Sequence, residues 1–575
     1  LLLCERESAL FFSMFTKLRW QIIILVVTAI SVAGLLMLPE KTEVAFAPQA
    51  SEGGIYTEAL IGSYSRLNPL LDLNNSADRD VDRLIYSRLI SYDASGLPIP
   101  DLADSWGVSQ DGKTYNFTIR KNAKWHDGQA VSADDVIFTI SLIKAPESLF
   151  PQSVKDLWSK IEIHKLNDQA LQFVLPESFA PFLDYLTFGV LPQHLLQGVS
   201  AAGLPAADIN LNPIGSGPYK FDTLQITDGV VTGVELSVNP DYYGKKPFLD
   251  KVVFKYFGTP EAAWQAYQAG EVLGVSQITS ATLNQALSDP TLNVYTARLP
   301  ELSLIFLNLN DPELPFFQDV EFRKALFQGL NRDYMVSSVL GGQAIVANGP
   351  IFPHTWAYNE KLTTVPYDPE AAIKTLKDNK FLILESGGSV RSDLDGNRLE
   401  FTLSHPDDEL HTRLAEIIQK NWEVLGINVI LEPLPYDILI HDRLEGREYQ
   451  AALIDINLHN TPDPDPYPFW HESEVSSGQN YSQWVNRAAS EYIERARINP
   501  DYAERAKNYK NFQVVFNNEM PALPLYYPVY SFGINSMVWN AQLPPMFDTS
   551  DRFQTISDWY IVTRQTIDLS GKTGE

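Results

Sequence analysis

Cysteine is almost absent from this 575-residue chain. Cys4 stands alone, so there is no intramolecular disulfide and no CxxC metal or redox pair. Cys-poor exported proteins are common in bacteria, so this scarcity does not by itself place the chain in the cytosol. Basic charge is also short: 44 Lys+Arg face 71 Asp+Glu, a formal net charge of −27. A surface of that sign repels phosphate backbones, and no nucleic-acid partner is expected. The signatures of catalysis are missing too. There is no P-loop, so the chain is not itself such an ATPase, although it can work with one. There is no HExxH and no GxSxG, since Gly215-Ser216-Gly217 has the wrong spacing. The nine histidines form no metal-ligand pairs at helical spacing. Asp393-Leu394-Asp395-Gly396-Asn397 matches a calcium loop poorly, its glycine falling too early with no closing glutamate, and reads as a hairpin turn. No cofactor, no metal and no enzymatic activity are expected. The chemistry left is binding.

At about 150 residues per domain the length predicts three or four domain-sized units. Apolar residues at 45% and charged ones at 20% describe a folded protein, and 26 Tyr with 11 Trp suit one that grips ligands. Lys17 and Arg19 precede residues 20–38, a stretch with no formal charge. As a helix it would span about 28 Å, close to the hydrocarbon thickness of about 30 Å. The positive flank predicts that residues 1–19 stay cytoplasmic and that the rest is translocated. Three readings stand: an uncleaved membrane anchor at 20–38; a removed signal peptide cut near Ala45-Phe46-Ala47, where Pro48 is a poor neighbour for cleavage; and, last, a buried helix of a soluble fold. Met14 is a candidate start, which would put residues 1–13 upstream of it. Residues 39–51 read as a polar tether.

Along the chain, Tyr115, Phe117 and Ile119 alternate with polar residues between the turn dipeptides Asp111-Gly112 and Asp127-Gly128. Ser132 and Asp135 then make a capping box ahead of Val136, Ile137, Ile140 and Ile143, so the block predicts a hairpin followed by a helix. Phe322, Ala325, Leu326 and Leu330 mark a second helix, ending near Gly329 and Asn331. Leu410, Leu414, Ile417, Ile418 and Trp422 mark a third, stopped by Gly426, after which Ile427, Val429 and Leu431 resume strand alternation. Residues 488–519 predict a helical region broken at Asn499-Pro500. The proline-rich stretches 462–468 and 521–528 predict loops or edges, because proline cannot donate in a ladder. This is α/β grammar, without a repeat of 20–50 residues.

Asp101-Leu102-Ala103-Asp104-Ser105-Trp106, continuing through Asp111-Gly112-Lys113-Thr114-Tyr115 and Trp125-His126-Asp127-Gly128 to Ser132-Ala133-Asp134-Asp135-Val136, resembles a known signature almost position by position. Pro213-Ile214-Gly215-Ser216-Gly217-Pro218-Tyr219, Asn239-Pro240-Asp241-Tyr242-Tyr243 and the 319–333 segment follow in the order of the same family. The family is that of the extracytoplasmic solute-binding proteins of ABC importers, family 5, the oligopeptide- and dipeptide-binding group, and the resemblance spans about residues 54–563.

It implies an α/β fold: a two-lobed, periplasmic-binding-protein-like (class II) clamp with an extra accessory domain, preceded by one N-terminal transmembrane or signal helix. Lobe I is expected at 52–93, 212–300 and 520–563, the accessory domain at 94–211, lobe II at 301–519 and a tail at 564–575. The signature stretch then lies away from the cleft, with Trp106, Trp125, His126 and Asp127 structural. The implied partners are a peptide or small-solute ligand, ABC permease subunits with a separate ATPase, and the membrane through 20–38; a monomer is expected. Peptides would be held mainly through their backbones, like an added strand. By analogy Asn74 and Asn75 would contact ligand from lobe I, a surface turn being the alternative. Leu458, His459, Asn460 and Asp463 would do so from lobe II, with Trp470 as a pocket wall. One departure stands out. Peptide-binding members carry an aspartate three residues before an Asp-Pro pair, facing the peptide ammonium. If Asp465-Pro466 is that pair, Pro462 occupies the position and Asp463 is the nearest substitute. A nonpeptide solute, or sensing without transport, stays open as a reading, and last among the alternatives a secreted hydrolase, for which the sequence offers no nucleophile or metal constellation.

Overall fold

The computed structural model describes residues 23, 25–28, 46–93, 95–353, 355–383, 388–458, 461–544 and 546–567. Cys4 and most of the 20–38 stretch lie outside them. Among the described residues no helix is long and apolar enough to cross a membrane. Strands Phe46–Ala50 and Thr563–Ile567 pair antiparallel, with Ala50 opposite Thr563, in a unit of their own.

Residues 52–562 form the other unit, built on a 12-stranded sheet in two halves. In one half Ile55–Ile61 runs parallel to Lys251–Phe257, which continues antiparallel into Val230–Val238 and Tyr219–Thr227. In the other, Glu301–Leu307 pairs with Ala451–Asn457, followed by Glu400–Pro406 and Asn428–Leu434 in parallel. One long strand, Ala522–Asn535, belongs to both. Residues 522–526 pair with Glu301–Leu307, and residues 529–535 pair with Leu292–Arg298. The halves are therefore two lobes of an α/β fold, joined at Leu299-Pro300 and again at Pro528-Val529. Two expectations change here. The boundary expected at 519/520 lies at the end of helix Tyr502–Glu519, whereas the pairings of 522–528 with second-lobe strands carry the passage between lobes into the strand that follows. The proline-rich 521–528 segment is neither loop nor edge. Pro524 sits at a break in register opposite Leu304, and Pro528 stands where the strand passes from one lobe's partners to the other's, so neither proline interrupts a regular ladder.

Each half buries apolar faces. Second-lobe helices Val320–Gln328 and Glu409–Val424 cover one face through Phe322, Leu326, Leu414 and Trp422; Arg487–Ile498 and Tyr502–Glu519 cover the other through Ile493, Tyr509, Phe512 and Phe516. The break at 499–500 and the left-handed Gly426 (φ 82) sit where the sequence predicts.

The signature stretch folds as the hairpin Ala103–Val108 and Thr114–Ile119 in a separate four-stranded sheet, followed by helix Ala133–Ile143. Ser132 N–H donates to Asp135 Oδ2 at 2.8 Å, as the capping box requires. This sheet shares one hydrophobic core with the first lobe, from Leu84 and Tyr86 through Phe117 and Phe173 to Phe254. His126 explains the glycine-rich motif. Its Nδ1 accepts from Gly215 N–H and its Nε2–H donates to the Gly217 carbonyl, both at 3.2 Å; burial pushes the ring down to about 4, so it stays neutral. Gly217 N–H in turn donates to the Ile85 carbonyl at 2.8 Å. A Cβ on Gly215 would lie 1.9 Å from that oxygen. Gly215→Ala is accordingly expected to lower stability by about 1–3 kcal/mol in urea melts, through forced backbone movement. An unchanged midpoint would show that the contact yields freely.

Candidate functional site

Strand Ile55–Ile61 leads through a polar segment into helix Ser76–Ile85. Asn75 starts that helix. Its Oδ1 accepts from the Ala77 and Asp78 N–H groups at 3.1 and 3.3 Å, and its Nδ2 donates to the Ser63 carbonyl and to Asp78 Oδ2 at 3.0 and 2.7 Å. Asp78 also receives the Ser65 and Arg66 N–H groups, folding the loop onto the helix start. Asp80 turns inward to Arg552, whose guanidinium also meets Glu58. Arg79, Asp82 and Arg83 of the same helix, and then Tyr86 and Arg88, line a cavity of about 510 Å³. Pro69, Asp72 and Leu73 line it from the preceding loop; Phe150, Trp158, Tyr185 and Phe188 supply aromatic walls; Asn457 and Thr461 approach from the second lobe. The cavity thus lies between the lobes.

Its charges are largely matched. Arg79 pairs with Asp548 at 3.1 Å, and Arg83 and Arg88 with Asp551 at 3.5 and 3.4 Å. Burial pushes Asp72 up to about 7, with Arg79 pulling down and Asp548 pushing up; burial and the neighbouring Asp72 and Asp78 carboxylates hold Asp82 well above the ordinary range. At the second-lobe boundary Asp184 accepts from Tyr92 O–H at 2.5 Å and from Asp463 N–H at 2.7 Å. Asp463 pairs with Arg505 at 2.5 Å, and the Arg505 guanidinium lies 4.8 Å from the Trp356 ring centre. Burial pushes Asp463 up to about 6 although Arg505 opposes it. Among the described residues no group of three or more His, Cys, Asp or Glu is placed to hold a metal ion. Aromatic faces, fixed charges and two approaching walls give the cavity the mixed lining of a small-molecule site.

The model of the bacterial extracellular solute-binding proteins, family 5, matches residues 98–479. The chain belongs to that family. Among curated relatives of this solute-binding protein, the dipeptide-binding protein of Escherichia coli (strain K12) is 29% identical over 488 residues, covering 80% of this chain and 87% of the relative. Among solved structures, NikZ from Campylobacter jejuni, in complex with Ni(L-His), matches with TM-score 0.65 and 26% identity over 88% of this chain and 99% of the other. The oligopeptide-binding protein AppA from Bacillus subtilis, in complex with a nonapeptide, shares the fold with TM-score 0.67 and 24% identity, covering 89% and 100%. The family makes the chain an extracellular receptor for solutes.

Against this geometry the residues singled out from sequence separate. Asn74 is exposed beside the cavity-lining Leu73. Asn75 has its amide taken up by the helix start and the Ser63 carbonyl, which corrects its reading as an open donor and acceptor. Leu458 is half-buried against the second-lobe core, its N–H donating to the Pro300 carbonyl at 2.8 Å. His459 and Asn460 lie outside the described residues. Asp463 faces inward, its Oδ2 paired with Arg505. Trp470 packs between Phe306 and Phe516, with ring centres 5.6 and 4.7 Å away, inside the second lobe and not on the cavity wall. Sequence reasoning passed over Asp72, Arg79, Asp82, Arg83, Asn457 and Thr461. A signal for Arg79, Asp82 and Arg83 was present: Asp78-Arg79-Asp80-Val81-Asp82-Arg83 puts five charges on one helix flanked by core residues, more than a solvated face of that length needs.

Proposed function

We propose that the chain captures peptides in the interlobe cavity, outside the cytoplasmic membrane, and delivers them to an ABC permease driven by a separate ATPase. One observation carries the reading: the cavity is walled by both lobes, and the lobes meet at two strand crossings. A ligand touching both walls stabilises the closed form, and a 100-fold preference for that form contributes about 2.7 kcal/mol toward closure. The names of the Escherichia coli and Bacillus subtilis relatives support peptides as the ligand class. Leu73-Asn74 and the 457–461 segment, including Leu458, His459 and Asn460, are proposed as the facing contact segments; Asn75, Asp463 and Trp470 are proposed to hold those segments in place. The region from Ala103–Val108 through Ala170–Val174 is proposed as the extra domain enlarging the first lobe. Residues 20–38 are proposed as the anchor or signal, and the receptor as a monomer.

Native mass spectrometry of the purified exported chain tests this, because such clamps retain what they bind. A co-purifying set of short peptides is the expected result. A single nonpeptide mass would replace the ligand class while leaving the fold, and the Ni(L-His) complex of the Campylobacter jejuni relative is the precedent for that outcome.

A further inference from the structure

Three arginines and three aspartates line the cavity, and the arginines are matched from behind: Arg79 by Asp548, Arg83 and Arg88 by Asp551. Of the aspartates, Asp184 already accepts from Tyr92 and from the Asp463 backbone. Asp72 and Asp82 are left. Asp82 is 3% exposed, and neither of its carboxyl oxygens has a hydrogen-bond partner; the neighbouring Asn68 N–H goes to the Arg66 carbonyl at 3.1 Å. Asp72, 5% exposed, lies within hydrogen-bonding reach of Asp82 and lines the same cavity. A buried acid whose near side-chain neighbour is a second acid destabilises the fold that keeps it, and in a cleft it marks a place where a ligand can supply a cationic donor.

We infer that Asp72 and Asp82 form an acidic subsite that receives an ammonium or guanidinium group of the solute, so that peptides with a lysine or arginine side chain are preferred. The inference rests on the cavity being the peptide site. Tyr86, Trp158, Tyr185 and Phe188 line the approach and suit the apolar stem of such a side chain, and a cation over their faces gains further attraction. Burial and mutual repulsion oppose double ionisation of the two acids. Asp78 adds to that repulsion at Asp82 and Asp548 at Asp72, while Arg79 and Arg88 oppose it at Asp72. The nearby Tyr64, Tyr86 and Tyr256 hydroxyls are all shifted upward and stay neutral. An arriving cation favours the ionised acids, so binding releases protons near pH 7, and affinity for the cation rises as pH rises through that range.

Calorimetry on the full exported chain with Ala-Lys-Ala and Ala-norleucine-Ala, run in two buffers of different ionisation enthalpy, tests the subsite. Wild type is expected to bind the lysine peptide at least tenfold tighter, with proton release. Asp82→Asn and Asp72→Asn are each expected to remove most of that preference and of the release. Asp82→Asn is also expected to melt higher than wild type at pH 8, the gap closing toward pH 5. Equal affinity for the two peptides in wild type, or an undiminished preference in both variants, overturns the subsite while the peptide reading survives. If neither peptide binds wild type, the peptide reading fails, and n-butylammonium decides the subsite separately: thermal protection of wild type that is lost in Asp82→Asn supports it, and no protection of wild type overturns it.

Discussion

Arg552→Met is expected to destabilise the chain by about 3–5 kcal/mol, measured by urea unfolding at neutral pH. Arg552 is fully buried, with its guanidinium donating to Asp80 Oδ1 and Oδ2 at 2.7 Å each, to Glu58 Oε1 at 2.8 Å and to the Thr549 carbonyl at 2.9 Å. Tyr56 O–H completes Glu58 at 2.6 Å. Methionine fills much of the volume but leaves two carboxylates in the interior with no cation, and that uncompensated charge sets the size of the loss. The pH dependence follows from the same groups. Burial already raises Glu58 and Asp80 in the intact protein, with Arg552 the main influence pulling both down. Without Arg552 both rise further, so the folded variant holds protons that the unfolded chain sheds above about pH 4. Its deficit relative to wild type should therefore shrink as pH falls from 8 toward 5. Adding Glu58→Gln and Asp80→Asn should recover part of the loss. A variant with the wild-type midpoint at pH 8 would show that the triad is reached by water. Asp80 shares its helix with Arg79, Asp82 and Arg83, so the triad also fixes the helix that walls the cavity.

Much of this architecture is legible in the residues. Tyr115, Phe117 and Ile119 point inward as alternation demands, and Ser132, Gly426 and the 499–500 break mark helix ends because capping is local chemistry that needs no tertiary context. The long strand Ala522–Asn535 was not legible. Prolines are excluded from regular ladders, yet here they occupy a register break and the passage between lobes, both products of the whole sheet. Family resemblance led to 73–75 and 458–463, and the structure puts Leu73 and Thr461 on the wall. Asparagine chemistry serves a ligand and a helix start equally well, and sequence alone could not tell that Ser63, Ala77 and Asp78 would claim the Asn75 amide. Nothing in the order of the 78–83 charges says that packing sets Asp80 against Arg552 and puts Arg79, Asp82 and Arg83 on the cavity.

Asp463→Ala is expected to cost about 3–5 kcal/mol of stability in the absence of any ligand, because it strands Arg505. The Arg505 side chain is 1% exposed; Asp463 is the carboxylate it pairs with, its Nε donates to the Ala496 carbonyl at 3.0 Å, and its Nη2 donates to the Tyr509 hydroxyl at 3.5 Å. Two mechanisms for an Asp463 effect make different predictions. A carboxylate that met the ligand ammonium would weaken binding by tenfold or more, about 1.4 kcal/mol, and leave the unfolding midpoint of the empty protein alone. A carboxylate that holds Arg505 lowers that midpoint first, and lowers affinity only so far as the 457–463 loop loosens. That loop carries Thr461 on the cavity wall, while its Asp463 N–H reaches Asp184 on the first-lobe side, so some loss of affinity through a less favoured closed form follows. Adding Arg505→Leu to Asp463→Ala separates them. Removing the orphaned guanidinium should restore much of the stability, as apolar replacement of both members of a buried ion pair commonly does, whereas a direct ligand contact would gain nothing from it. Paired urea titrations of the single and double variants, with the wild-type midpoint retained in Asp463→Ala, would assign the carboxylate to the ligand after all.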